Sequence, residues 1–570
     1  MTAIFFTYGL TYNFRKAGLI ILLLLCCNHW LHGQEQVLKS AVAAEEILGA
    51  RGEVIIRFAT PAYISLNGLS EFLSIDNNRN DTVVAYANEQ GYRQFLQLQI
   101  DHELLQPPSL KRSKRCKKTE TDWHYKYPSY AAYVSLMQGF ASDFPDICRL
   151  KEFGESINGR KLLALKITKN PDSREREPLV FYTAGIHGDE PLGTVLMLRL
   201  IEYLLMNYST AEEVRELVDR FEIWINPLAN PDGTYFITDT SVAGAVRFNA
   251  AHVDLNRDFP DIRNGNWVVV NRQPETSAMM SLLQELQPTL SAGFHGGAEV
   301  VNYPWDTWSR LHADNTWFRT LSRAYVDTVH QYSNNGYMTF MENGITNGYA
   351  WYSVFGGRQD YVNCLLHGRE VTIELSNDKM PPEDELEVYW NYNKRSLLQY
   401  LGQALTGISG EVTDSLTGLP VTAKVRLVHH DRDSSFVLSS SPAGFFTRLT
   451  GEGSYVLQFE APGYQTERHA TQVSGGLHTM LNVKLKPLAK TALYPNPFGN
   501  QVYFLISAPG DNLNVEVFDL MGRKYRQITL YVPAVGWQEI DVSGLLPGIY
   551  VFNLRYRNQA TRHLMLRGYQ

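Results

Sequence analysis

Apolar positions change their spacing several times along the chain, and each change marks a boundary. Arg15 and Lys16 precede an unbroken apolar run, Ala17 to Cys27, of about eleven residues. That length suits the core of a secretory signal, whereas a membrane span needs about twenty. Cleavage near Gly33 would leave Gln34 first, so residues 1–33 are expected to be a leader. The fourteen residues ahead of Arg15 make it long and leave the true start codon open. No second apolar run of spanning length follows, so no transmembrane segment is expected in the mature chain. From 34 to 110, strand-like runs (Val54–Phe58, Val83–Ala87) and helix-like runs (Leu69–Leu73, Glu89–Leu98) predict a small α+β unit. Six of the eight residues from Lys111 to Lys118 are basic, which makes 111–121 an exposed linker open to proteases.

From 122 to 405 the pattern is α/β. Continuous β-prone stretches at Arg160–Ile167, Leu179–Ala184, Phe221–Asn226, Leu290–Phe294 and Val371–Leu375 read as buried strands. Helical periods at Tyr127–Ala141, Leu192–Leu205, Glu275–Leu286 and Glu385–Leu401 alternate with them. A mixed, mostly parallel sheet follows, and sites in such folds gather at the carboxyl ends of strands. After Gly407 helical periodicity vanishes. Short strands at Ile408–Val412, Ala423–Val428, Phe445–Leu449, Gly453–Phe459 and Leu481–Leu485 predict a β-sandwich over 406–487. Residues 491–570 read as a second all-β sandwich. The fold class is therefore multidomain, an α/β unit preceded by α+β and followed by two β-sandwiches.

Composition adds little to this outline. A chain of 570 residues is long enough for three or four cores. The net charge of −7 gives no reason to expect a nucleic-acid partner. Of five cysteines, Cys26 and Cys27 fall in the leader. Cys116, Cys148 and Cys364 allow at most one disulfide and form no metal cage.

The candidate chemistry sits at strand ends. His187 and Glu190 follow Leu179–Ala184, and His295 ends Leu290–His295. Two His and one Glu, with a fourth position left to water, make a catalytic rather than a structural zinc set. Glu374 ends another apolar strand, a costly place for a carboxylate without a task or a partner. Between them, Arg247 to Asp261 presents Arg247, Asn256 and Arg257 in a loop, and an arginine fork suits the free carboxylate of a peptide.

The ordered set His187-x-x-Glu190, Asn230-Pro-Asp-Gly233, Arg247, Asp254-Leu-Asn-Arg-Asp-Phe-Pro260, His295-Gly-Gly297, Asn302-Tyr-Pro304, Gly356-Gly-Arg-Gln-Asp360 and Glu374-Leu-Ser376 resembles the zinc metallocarboxypeptidases, most of all the regulatory carboxypeptidase N/E subfamily, which carries a transthyretin-like domain after the enzyme. The resemblance implies one Zn²⁺ held by His187, Glu190 and His295, Glu374 as catalytic carboxylate and Arg247 polarising the scissile carbonyl. Asn256 and Arg257 would grip the C-terminus of a peptide or protein. Asp306, eleven residues after His295, would select C-terminal Lys or Arg. The family's substrate-capping tyrosine is expected three residues after Asp360, where Asn363 stands, and Tyr361 is the nearby substitute. Two other functions are compatible with the fold: a zinc amidohydrolase or deacylase, and an inactive surface-binding protein. Residues 34–110 resemble a carboxypeptidase pro-region by position and pattern. Tyr494-Pro-Asn-Pro497 and Leu546-Pro-Gly-Ile-Tyr550 make 491–570 similar to the C-terminal sorting domain of type IX secretion, which implies that machinery as a partner and a secreted or surface location.

Overall fold

The computed structural model describes residues 43–568, apart from 62, 80, 111–121, 264–270, 335, 440–442, 476–477, 488–492, 507–509, 533–535 and 557–558. The leader, the basic linker and Cys116 lie outside the described residues.

The N-terminal unit is a four-stranded antiparallel sheet of β1 (Val54–Ala59), β2 (Ser74–Arg79), β3 (Thr82–Ala87) and β4 (His102–Leu105), in the order β2-β3-β1-β4. The helix Glu89–Gln97 buries Tyr92 and Phe95 in that unit's core, and Asn88 caps it by accepting from the Gly91 amide. The helix expected over Leu69–Leu73 is instead a single turn, Leu66–Leu69, and β2 follows directly.

The α/β unit is built on eight strands: β5 (Cys148–Glu155), β6 (Lys161–Ile167), β7 (Leu179–Ala184), β8 (Glu222–Asn226), β9 (Leu290–His295), β10 (Ala298–Tyr303), β11 (Ile345–Asn347) and β12 (Arg369–Ser376). Their order is β11-β10-β12-β9-β7-β8-β6-β5. The central ladders β12/β9, β9/β7 and β7/β8 are parallel, while β10/β12, β8/β6 and β6/β5 are antiparallel. Helices Leu192–Asn207, Asn315–Tyr332 and Leu386–Gly402 bury one face of the sheet, and helix Pro274–Leu286 lies against the other. Covering on both faces is why the central strands read as unbroken apolar runs. The parallel register sets Glu374 beside His295.

Two four-stranded sheets around Ile408, Val425, Phe446 and Phe459 form the sandwich that follows, and sheets of three and four strands form the last unit. Cys148 and Cys364 are buried free thiols.

Candidate metal centre

The site grows out of three strand ends and one loop. His187-Gly-Asp-Glu190 lies between β7 and the helix Leu192–Asn207, His295 ends β9, and Glu374 lies near the end of β12. Asn230, fully buried, donates to the carbonyls of Ile186 and Arg247 at 3.2 and 3.3 Å and so ties the His187 turn to the arginine loop. Asp254 caps the short turn Leu255–Arg257 by accepting from the Asn256 amide at 2.8 Å.

His187 Nδ1 lies 3.0 Å from Glu190 Oε1, His295 Nδ1 lies 3.1 Å from Glu190 Oε2, and the two Nδ1 atoms are 3.1 Å apart. All three side chains are buried. His187 Nε2 faces Asp254 Oδ1 at 3.2 Å, which favours the tautomer that turns an Nδ1 lone pair to the centre. Burial pushes His295 down to about 4, so its imidazole is neutral. Burial alone would raise Glu190, but His187 and Lys379 hold it well below the usual carboxylate range. Two imidazole lone pairs and an ionised carboxylate, converging out of water, fit a divalent cation.

Glu374 Oε2 is buried without a partner. Burial, and then the Glu190 charge, push its carboxyl well above the ordinary range. Arg247 Nε donates to Asp254 Oδ2 at 3.1 Å, and its Nη1 lies 3.4 Å from Glu190 Oε1. Arg257 and Asn256 line the same cavity, and Arg257 Nε is buried and unpaired. Asn256 Oδ1 accepts from the Arg358 amide at 3.0 Å.

Asp306 is buried and lines this cavity. Its Oδ1 accepts from Asn302 Nδ2 at 3.1 Å and Gln359 Nε2 at 2.8 Å. Both amides thereby leave a carbonyl oxygen, Asn302 Oδ1 and Gln359 Oε1, buried and unsatisfied. Burial and the neighbouring Asp360 raise Asp306 well above its usual range. Gly348 closes over it, and a Cβ there would come within 1.8 Å of Asp306 Oδ1.

One expectation fails. Tyr361 stacks on Phe259 at 5.4 Å, accepts from Gln284 Nε2 at 3.2 Å, and is only 2% exposed. It belongs to the core under helix Pro274–Leu286 because helix Arg358–Leu365 turns its side chain away from the cavity. Asn363 is spent on the carbonyls of Gln359 and Glu370. The tyrosine that lines the cavity is Tyr352, four residues before Gly356, with Glu374 and Arg257 among the charges that act on it. The aromatic pair Trp351-Tyr352 just ahead of the Gly-Gly turn was the available signal.

The N-terminal unit closes the cleft. Asp76 Oδ1 lies 2.7 Å from Lys379 Nζ and 3.7 Å from Arg247 Nη1. Ser74 Oγ donates to Asp254 Oδ2 at 2.6 Å, and Tyr86 OH donates to Asp189 Oδ2 at 2.6 Å. Glu53 Oε2 accepts from the amides of Arg247 and Phe248 at 2.9 and 3.2 Å. None of these four was singled out from sequence.

The zinc carboxypeptidase family matches residues 133–396, a carboxypeptidase regulatory-like domain matches 407–486, and a secretion system C-terminal sorting domain matches 492–566. Carboxypeptidase D of Mus musculus is 35% identical over 378 residues, 63% of this chain and 26% of that protein. Carboxypeptidase M of Mus musculus is 34% identical over 364 residues, 60% of this chain and 80% of that protein. The carboxypeptidase N catalytic chain of Mus musculus is 32% identical over 429 residues, 68% of this chain and 89% of that one. The chain thus spans about a quarter of the carboxypeptidase D relatives it matches. The sorting domain makes this an exported protein, secreted or held at the cell surface. Among the described residues no helix is long and apolar enough to cross a membrane. Zinc is the family's metal, and a candidate set of ligands for it stands among the described residues. By the matched domain and the relatives whose length it largely covers, the chain belongs to the zinc carboxypeptidase family.

Proposed function

We propose that the protein hydrolyses the last peptide bond of peptides or proteins, with a preference for C-terminal Lys or Arg. The observation that carries this reading is one cavity holding His187, Glu190 and His295, with Glu374 beside them and Arg247, Asn256 and Arg257 lining the walls. Zinc bound by the three ligands would supply Lewis-acid polarisation and a water of lowered pKa. The chain's own residues do the rest. Arg257 and the Asn256 amide fix the substrate's carboxylate, so that only the terminal bond meets the reacting centre. Arg247 steadies the negative charge that develops on the scissile carbonyl oxygen. Glu374, its buried Oε2 unpaired, accepts the proton of the attacking water and returns it to the leaving amine. Asp254 holds His187 and Arg247 in place at once.

The preference for basic ends rests on Asp306 with Asn302 Oδ1 and Gln359 Oε1. These are three acceptors buried together with too few donors, and a guanidinium or ammonium would satisfy them. Tyr352, which lines the cavity, is read as the residue that closes over a bound substrate.

The N-terminal unit is read as a pro-region. Docked, it sets Asp76 against the cations of the site, so the intact chain should be inactive until the basic linker is cut. The experiment is to incubate the intact chain and the linker-nicked chain with peptides ending in Arg, Lys, Leu or Glu. Loss of a single C-terminal Arg or Lys from the peptides with the nicked chain alone, abolished by a zinc chelator, is the expected result. No release from any peptide at full zinc occupancy refutes the enzyme reading. Equal rates before and after nicking refute the pro-region reading.

A further inference from the structure

Of the two cations that Asp76 faces, Lys379 has no part in the chemistry above. Lys379 follows β12 in the short loop that begins at Asn377, and it is 4% exposed. Its ammonium carries three protons, and the described structure gives them three acceptors. Glu190 Oε1 lies at 2.6 Å, the Gly296 carbonyl at 3.2 Å and Asp76 Oδ1 at 2.7 Å. The first two belong to the catalytic unit. The third comes from the unit that must leave, so departure of the N-terminal unit opens one donor of Lys379 toward the cleft.

The course of β2 says what would fill that place. Ser74 touches Asp254, beside Arg257. Asp76 touches Lys379, and Arg79 Nη2 donates to Asn377 Oδ1 at 2.6 Å with its guanidinium 4.3 Å from the Phe340 ring. The strand therefore crosses the cleft from the carboxylate-gripping loop, past the metal ligands, and out along Asn377. A substrate anchored by its terminus at Arg257 crosses with the opposite chain direction. The residue that donates the scissile carbonyl, the one before the departing residue, then lies against the ligands at the depth of Asp76.

Building on the carboxypeptidase reading, we propose that Lys379 is a specificity residue that pairs with an acidic side chain at the penultimate position of the substrate, and that Asp76 holds this place in the closed chain. The substrate class is peptides ending Glu-Arg, Glu-Lys, Asp-Arg or Asp-Lys. A charge-assisted hydrogen bond formed out of water is the kind of contact that separates a carboxylate from its amide isostere.

The test uses the full chain carrying Glu374→Gln, nicked at the basic linker and held at a pH where size-exclusion chromatography shows the N-terminal unit released, so that peptides bind with turnover greatly slowed. Peptides ending Glu-Arg and Gln-Arg are titrated calorimetrically. The Glu peptide is expected to bind about tenfold more tightly, a ratio of the size that one charge-assisted bond supports. With Lys379→Met added, the ratio should fall to about one, and with Lys379→Arg it should persist. A merely structural Lys379 would weaken both peptides alike and leave the ratio intact. Equal binding of the two peptides to the Glu374→Gln chain overturns the proposal with no Lys379 variant needed. If neither peptide binds, the carboxypeptidase reading itself is refuted.

Discussion

At the scale of single residues, the site is a set of buried charges with unequal partners. Asp306 is raised by burial and by Asp360, with two amides turned toward its Oδ1. A cationic side chain entering there would restore its ionised form. Asp306→Asn should therefore lower kcat/KM for C-terminal Arg by about a hundredfold, the loss of one buried charged contact. The rate for C-terminal Leu should change little. Comparing the two peptides measures this, and an unchanged Arg-to-Leu ratio would show that Asp306 does not select the substrate. The metal ligands, Glu374 and the arginine loop were legible because polar residues at the ends of apolar strands stand out. Tyr352 was not, because Trp351 to Phe355 reads as more apolar core. Lys379 and Asp76 carry no pattern at all, and their meaning comes only from facing each other.

At the scale of elements, the decisive piece is β2. Four of its six residues, Ser74, Asp76, Asn77 and Asn78, favour turns, so little in it announces a strand. Pairing with β3 imposes the conformation, and contacts across the cleft account for the polarity. The central strands of the catalytic sheet were legible for the opposite reason, since burial on both faces leaves only apolar positions. The docking of the N-terminal unit should depend on pH through Glu53. Burial and the Asp189 charge push this carboxyl up to about 8 from an ordinary 4.5, against the two amides it accepts from. A raised acid pKa means that the docked state binds the proton more tightly than the undocked state. Docking is then strongest below about 4.5 and weakens as pH rises toward about 8. In the nicked chain, release of the N-terminal unit, followed by size-exclusion chromatography, should increase across that window. Glu53→Gln keeps an oxygen for the amides of Arg247 and Phe248 and should flatten the dependence. A pH profile that Glu53→Gln leaves unchanged would exclude Glu53 as the cause.

At the scale of the whole molecule, the catalytic unit and the first β-sandwich share one buried ionic cluster. Asp314 accepts from Arg369 Nε at 3.0 Å, and it also accepts from two sandwich residues, Arg448 Nη2 at 2.9 Å and His430 Nε2 at 2.8 Å. Arg448 also meets Asp431. Asp314, His430 and Asp431 have the residue types of a metal site, but the two guanidiniums already neutralise them. Burial would raise Asp314, yet Arg448 and Arg369 hold it well below the usual range. Asp314→Ala would leave buried Arg369 without its carboxylate, with Arg448 keeping only Asp431, and should cost about 3 kcal/mol. Urea unfolding curves test this, and a loss below about 1 kcal/mol would mean that the cluster is not what joins the two units. A smaller joint follows, where Trp537 of the last unit donates to Tyr464 OH at 2.8 Å and Asp414 Oδ2 at 3.0 Å. The order of units was legible from changes of period along the chain. The joints between them were not, because a buried Arg–Asp contact across two units leaves no periodic trace.

The most direct test of the account joins metal content to turnover in the linker-nicked chain. Wild type and Glu374→Gln are purified with zinc, and bound metal and release of arginine from a peptide ending in Arg are measured on the same samples. One zinc per chain is expected in both, with release of a single arginine by wild type and a rate lower by about 10²–10⁴ in Glu374→Gln, the contribution of a positioned general base. Zinc-loaded wild type that releases nothing, or a Glu374→Gln chain that matches it, would contradict the account.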